Sequence, residues 1–242
     1  MAELDVEGIE RATIAGVAPA KVVEIDGWLA AMDQGPILRA KSAVPLSHTV
    51  RSDGLAAIEA AYRTAGLPPA FRIAEVAGLA DVRDGLTAGG YAAQQATLVK
   101  IGEVARLAAL HDRPADLLER PDDAWRAVFM GEGFDPQDGA GRAAALTRSP
   151  DAVYAAVRED GRIVAVGAAT FGHGWAGVHG MRTALDRRGR GYASRVLTAL
   201  GRAIAGRGVN GVYLQVDEDN PARRLYRQAG FTEAWRYRYW RL

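Results

Sequence analysis

Cysteine is absent from this chain of 242 residues, which excludes disulfide scaffolds, zinc ribbons, thiol nucleophiles and redox dithiols together. Histidine is scarce too. His48, His111, His173 and His179 are the only four, and no two are spaced as metal ligands on one helical turn. A metal cofactor is therefore not expected. Long hydrophobic runs are also missing. The longest mostly apolar stretch, Ile163 to Gly172, is about half of what a membrane span needs. The N-terminus, Met1 to Glu7, is acidic and lacks the basic and apolar regions of a signal peptide. These absences imply a cytoplasmic protein with no membrane partner. Charge of one sign is lacking as well: 30 basic residues face 29 acidic ones, a net charge of +1 that gives no reason to expect nucleic acid as a partner.

What is present is an ordinary globular composition, 49% hydrophobic and 24% charged. Its charge is unevenly placed. From residue 181 onward 13 arginines stand against 5 acids, so the last quarter either holds an anionic ligand or forms a solvated basic surface.

Turn residues divide the chain. Arg113 to Asp123 and Gly131 to Gly139 are rich in Pro, Gly and Asp and read as loops around a short helix at Ala124–Met130. Before them, strands are predicted over Lys21–Met32, Ile37–Leu46, Phe71–Val76 and Ala96–Ala105. Helices are predicted from Ser52 or Asp53 to Ala65 and near Val82–Ala88. After them, Ala152–Arg158 and Arg162–Phe171 read as a hairpin, and Trp175–Thr183 as a third strand. Ala193, Val196, Leu197, Leu200, Ala203 and Ile204 share one face of a helix opening at Tyr192. Val212–Val216 reads as a buried strand. Asn220-Pro221 starts a second helix that ends at Gly230, and Thr232–Arg241 reads as one or two aromatic-rich strands. The expected organisation is an α/β N-terminal half over 1–112, a linker with helices over 113–149, and a second α/β half over 150–242.

One segment carries a ligand signal. Asp186-Arg187-Arg188-Gly189-Arg190-Gly191-Tyr192-Ala193 joins a strand to a strong helix. Glycines there let backbone approach a ligand, the helix start leaves amides unpaired, and three arginines surround the turn, as a pyrophosphate site requires. A strand-to-helix turn with solvated arginines is the plainer reading. Two nucleotide signatures fail here. Ser194 occupies the third glycine place of the dinucleotide fingerprint, and Tyr91-Ala92 follow Gly90 where a phosphate-binding loop needs lysine.

The segment does resemble the Arg/Gln-x-x-Gly-x-Gly/Ala loop of the GNAT superfamily of acyl-CoA-dependent N-acyltransferases, with Arg188, Gly191 and Ala193 in the fixed places. Asn220-Pro221-Ala222 through Leu225-Tyr226 to Gly230-Phe231 is similar to that superfamily's second motif, 32 residues on from Arg188. The resemblance covers about residues 150–240. It implies a GNAT fold: a mixed central sheet splayed between its fourth and fifth strands, with helices on both faces and acyl-CoA in the opening. Backbone groups of Met181 and Thr183 would pair with the pantetheine arm. The amides of Gly189, Arg190, Gly191, Tyr192, Ala193 and Ser194 would hold the pyrophosphate, with charge from Arg188 and Arg190. Asn220 would bond the pantetheine from across the gap. The first half repeats the element order without the glycine loop. It reads either as a degenerate GNAT copy or as a family-specific α/β extension.

The resemblance implies transfer of the acetyl group of acetyl-CoA to a primary amine by direct attack in a ternary complex. The acceptor expected is a small molecule or amino acid. Two alternatives stay open: a protein or peptide acceptor, and a non-catalytic acyl-CoA-binding module. Tyr226 stands where the superfamily's tyrosine points at the CoA sulfur and would protonate the leaving thiolate; otherwise it only packs beside Leu225. For the base, His179 shares a strand face with Gly177 and Met181 and has an ordinary pKa near 6.5; otherwise it is a packed core histidine. His173, Asp217 and Glu218 are weaker candidates, and the amide near Met181 would polarise the carbonyl. Trp175, Trp235, Tyr237, Tyr239 and Trp240 line an acceptor cleft or belong to the core.

Overall fold

The computed structural model describes residues 4–242. It opens with α1 (Val6–Val17), where the Asp5 carboxylate accepts from the Gly8 amide at 2.8 Å. The strand expected over Lys21–Met32 is two strands, β1 (Lys21–Ile25) and β2 (Trp28–Met32). Asp26 and Gly27 take φ of 46° and 79° between them, the geometry of a two-residue hairpin turn. The strand expected over Ile37–Leu46 is also divided. A 3-10 turn at Leu38–Lys41, closed by Ser42 Oγ donating to the Leu38 carbonyl at 2.9 Å, precedes the short β3 (Ala43–Pro45). Then come α2 (Leu55–Thr64), β4 (Ala70–Ala74), α3 (Ala80–Ala88) and β5 (Ala92–Glu103).

β5 runs directly into α4 (Val104–Ala108); β6 (Asp116–Leu118) lies inside a stretch read as loop, α5 (Asp123–Ala127) is the expected short helix, and α6 (Pro136–Leu146) begins within the second stretch read as loop. Asp135 caps α6 by accepting from the Asp138 amide, and Pro136 pre-sets its first turn. The rest follows expectation in β7 (Ala152–Glu159), β8 (Arg162–Gly172), β9 (Trp175–Thr183), α7 (Tyr192–Gly206), β10 (Gly211–Asp217) and β11 (Thr232–Arg241), whereas α8 (Arg223–Gln228) begins later than expected, with Asn220 and Pro221 in the turn that leads into it. On α7, Val196, Leu197, Leu200 and Ile204 are fully buried, each worth about 1.5–3 kcal/mol relative to exposure.

Eleven strands form one mixed, open sheet in the order β1-β2-β3-β4-β11-β5-β10-β9-β8-β7-β6. The order repeats when read inward from either side. β3 lies parallel to β4, as β9 does to β10. Beyond β4 stands antiparallel β11, and beyond β10 stands antiparallel β5. Each half thus lends its last strand to the other, and Thr97 pairs with Tyr237 midway along the antiparallel contact of the two exchanged strands. Alternation along β10 sends Leu214 and Val216 into the core beside α7, and Tyr213, Gln215 and Asp217 to the opposite face.

Candidate active site

β9 and β10 pair only where Trp175–Val178 meet Gly211–Leu214. Beyond that point they part. The register of β8 and β9 slips between Val166 and Ala168, a bulge on β9 around Gly180 and Met181 that bends the strand. Gly180 takes φ of 61°, and a Cβ there would lie 2.4 Å from Leu146 Cδ1 of α6. Only glycine fits. The result is a cleft of about 410 Å³, lined from β9 by Val178 to Arg182, from β10 by Leu214 to Asp217, and also by Asn220 and Tyr226.

On the α7 side of the cleft, Gly189 and Gly191 have φ of 76° and 78°, and no side chain caps the helix. Among the described residues, none of the amides from Gly189 to Ser194 finds an acceptor. The arginines differ. Arg187 is tied to Glu159 and Asp160, and Arg190 lies 3.9 Å from Glu159. Arg188 has no carboxylate partner among the described residues; its Nε reaches the Thr183 carbonyl at 3.5 Å. Sequence reasoning missed His111, whose Nε2 would lie 3.6 Å from a Cβ at Gly191. Its Nδ1 accepts from the Arg113 amide at 3.0 Å, so the neutral ring carries its proton on Nε2, toward this turn.

Tyr226 is 7% exposed, lines the cleft, and packs edge-on against Phe231. Its hydroxyl has no hydrogen-bond partner among the described residues, and burial pushes the phenol up to about 12. Asn220 Oδ1 accepts from the Ala222 amide at 2.9 Å, which leaves its NH₂ free.

His179 sits across the sheet and does not suit the role of base. It is 8% exposed and its Nε2 lies 3.0 Å from Thr170 Oγ1. Burial, aided by the nearby Arg39 charge, pushes its pKa down to about 3. Such an imidazole is neutral at pH 7 but too weak to take a proton from an ammonium. Glycines explain the fit: a Cβ at Gly177 would lie 2.5 Å from His179 Nε2, and one at Gly16 of α1 would lie 2.5 Å from Thr170 Oγ1. Among the weaker candidates, His173 is exposed in a hairpin turn and Glu218 is paired with Arg236 at 2.9 Å. Asp217 reaches the cleft and has no cationic partner among the described residues; Gln95 and Thr97 donate to it at 2.8 and 3.3 Å. Trp235, Tyr237, Tyr239 and Trp240 are buried in the core and Trp175 packs on Gly211, so none lines the cleft. Among the described residues no group of His, Asp or Glu could hold a metal, and no helix is long and apolar enough to cross a membrane.

A mixed α/β sheet parted beside a glycine-rich helix start is the GNAT fold, and solved structures agree. A GCN5-related N-acetyltransferase from Kribbella flavida superposes with a TM-score of 0.73 at 18% identity, covering 100% of this chain and 96% of its own. A conserved protein of unknown function from Staphylococcus epidermidis gives 0.69 at 11%, covering 93% and 94%. A tandem GNAT protein from the clavulanic acid biosynthesis pathway gives 0.59 at 14%, covering 98% and 94%. No curated protein matches. The family model described as "Probable histone acetyltransferase Rv0428c C-terminal" matches residues 4–240, and the chain belongs to this GNAT acetyltransferase family.

Proposed function

We propose that the protein transfers the acetyl group of acetyl-CoA to the primary amine of a small molecule. The carrying observation is the cleft itself, lined by the parted ends of β9 and β10, roofed on its far side by α1, α6 and the Leu38–Lys41 turn, and followed in the chain, beyond Arg182, by the α7 helix start with its unpaired amides. Its volume is that of a small-ligand pocket. Roofing by α1 and α6 leaves room for an amine and its immediate substituents rather than an extended chain, which favours a small acceptor over the histone of the family's description. In this reading residues 1–112 are a degenerate GNAT copy that builds the acceptor end, 113–149 carry α6 to the roof, and 150–242 hold the acyl donor.

The amides from Gly189 to Ser194 accept the pyrophosphate in place of water, aided by the dipole of α7 and by Arg188, Arg190 and the Nε2 proton of His111. Backbone of Met181 and Thr183, on the edge of β9 that β10 leaves, receives the pantetheine as an added strand, and the Asn220 NH₂ bonds it from β10's side. The Met181 amide polarises the thioester carbonyl. The acceptor ammonium passes its proton to solvent by way of the exposed Asp217 carboxylate, its nitrogen forms the new bond to the carbonyl carbon, and the carbon–sulfur bond breaks. Tyr226 gives its proton to the departing sulfur. Its high pKa keeps it a neutral donor throughout the physiological range. His179 walls the acceptor end as a neutral ring. A thiol-release assay with acetyl-CoA against amines, amino acids and peptides tests the reading. Release with small amines is expected; release with peptides alone would overturn the small acceptor, and no release with any of them would overturn the enzyme.

A further inference from the structure

The acceptor end of the cleft carries a charge that the chain does not answer. Arg39, from the Leu38–Lys41 turn, reaches the cleft beside His179 and Gln215. Its Nε is sealed from solvent and has no hydrogen-bond partner among the described residues. No carboxylate of the described residues lies within ion-pair distance of it. The nearest buried acid, Glu10, is already bound to Arg72 at 2.6 Å, with both side chains almost fully buried. Ionised, Glu10 balances one of the two guanidiniums; protonated, it balances neither. Either way one positive charge at the end of the cleft lacks a counter-ion. Guanidinium does not deprotonate in proteins, and an unpaired buried charge is costly.

The neighbours do not supply an anion. Tyr213, Tyr237 and Tyr239 surround Arg39 with phenols, and burial holds Tyr213 and Tyr239 far above their ordinary pKa, hence neutral. Gln215 is engaged with Thr13 at 2.9 Å and Tyr237 at 2.9 Å. The acyl donor's phosphates are assigned to the exposed Gly189–Ser194 turn, which is no part of this cleft lining. What remains to meet Arg39 is the second substrate.

We propose that Arg39 binds a carboxylate of the acceptor, so that the substrate is a small amine bearing a carboxylate, of the amino-acid type. The inference rests on the acetyl-transfer reading above. A planar guanidinium matches a carboxylate through two parallel hydrogen bonds. That bond fixes one end of the acceptor and presents its amine toward the parted strands. Arg39 belongs to the N-terminal half, so substrate choice and acyl-donor binding come from different halves of the chain.

The test pairs acceptors that differ only at the carboxylate: glycine with glycinamide, β-alanine with ethylamine, each amino acid with its amide, and phosphoethanolamine as the phosphate arm. Thiol release should favour the carboxylated member, and Arg39→Met should lower the ratio of kcat/KM within a pair by about 10²-fold. Arg39→Lys, which keeps the charge without the planar fork, should fall between. Independently of turnover, calorimetric titration of propionate and glutarate should show binding to wild type that Arg39→Met abolishes. CoA should bind both proteins, which also shows that the variant is folded. Equal use of acids and amides, a preference for phosphoethanolamine, or a selectivity ratio unmoved in Arg39→Lys and Arg39→Met would overturn the proposal. If no acceptor releases thiol, the transferase reading fails by itself. Carboxylate binding lost with Arg39 would then still uphold the anion site, and its absence in wild type would overturn it.

Discussion

The two halves arrange the same elements around the same kind of gap, and they finish it differently. In the N-terminal half the gap between β3 and β4 is sealed by the chain. The helix start is occupied, because Asp81 accepts from the Ser52 amide at 2.9 Å. The carbonyls of Ala74 and Val76 at the end of β4 are taken by Arg83 at 3.0 and 2.8 Å. A Cβ at Gly78 would lie 2.2 Å from the His48 carbonyl oxygen, so the turn before α3 closes directly on the would-be loop. In the C-terminal half the α7 amides are unpaired and the strand ends diverge, although the carbonyls at the end of β10 are taken here too, that of Asp217 by the Asn220 amide at 3.0 Å and that of Glu218 by Arg223 at 2.6 Å. Arg83 stands nine residues after the end of β4, and Tyr226 nine residues after the end of β10. One position carries a plug in one half and a free phenol in the other. A shared framework therefore does not decide binding; the groups that satisfy or leave unsatisfied its backbone ends do.

The largest effect expected from breaking this contrast is at the open helix start. Gly191→Glu adds bulk, strain at a positive φ and a like charge against the phosphates, and CoA binding should fall below calorimetric detection while the melting curve stays cooperative. Next comes the phenol. Tyr226→Phe keeps the packing and should lower kcat by about 10²–10⁴, with little change in CoA affinity or melting temperature; unchanged kcat in the folded variant would make Tyr226 a core residue only. Asp217→Asn should cost kcat about 10² at neutral pH, with partial recovery at alkaline pH, where more amine is already deprotonated. A flat pH profile with full activity would remove Asp217 from the reaction.

Two smaller effects sharpen the comparison. Asp81→Ala opens the N-terminal helix start, and the melting temperature should drop by a few degrees without creating a second CoA site, since no glycine loop or arginine cluster follows. Appearance of such a site would mean that the cap alone distinguishes the halves. His179 provides a pH signature. Its folded pKa, about 3, lies below the unfolded 6.5, so the unfolded state binds more protons between those values. Its contribution to stability is complete above pH 6.5 and is lost as pH falls toward 3. His179→Gln, which does not titrate, should flatten the melting temperature in that window; an identical pH dependence in both proteins would show that the ring is not held neutral.

The C-terminal half was legible because its signals are local. Arg188, Gly191 and Ala193 form one turn, and the apolar spacing of α7 and the Asn220-Pro221 start each lie within a few residues. The N-terminal half was read more coarsely. The Asp26-Gly27 turn and the Asp135-Pro136 helix start carried standard signals that could have divided β1 from β2 and found α6. Strand exchange had no local trace, since β5 and β11 are ordinary half-buried strands in either position and only pairing across more than a hundred residues tells them apart. Arg39 was invisible for the same reason. Within the expected strand Ile37–Leu46 it reads as one surface arginine among many, and its isolation exists only where the turn meets Tyr213, Tyr237 and His179. His179 was read as a candidate base, and its desolvation by α1, which works against that role, could not be read from its own strand.

The central claim is that one gap binds the acyl donor and its counterpart is closed by the chain's own side chains. Calorimetric titration of CoA into the wild-type protein and into Gly191→Glu tests it most directly. The account predicts one CoA per chain for the wild type and none for the variant. Two per chain, or a single site that survives in Gly191→Glu, would contradict it.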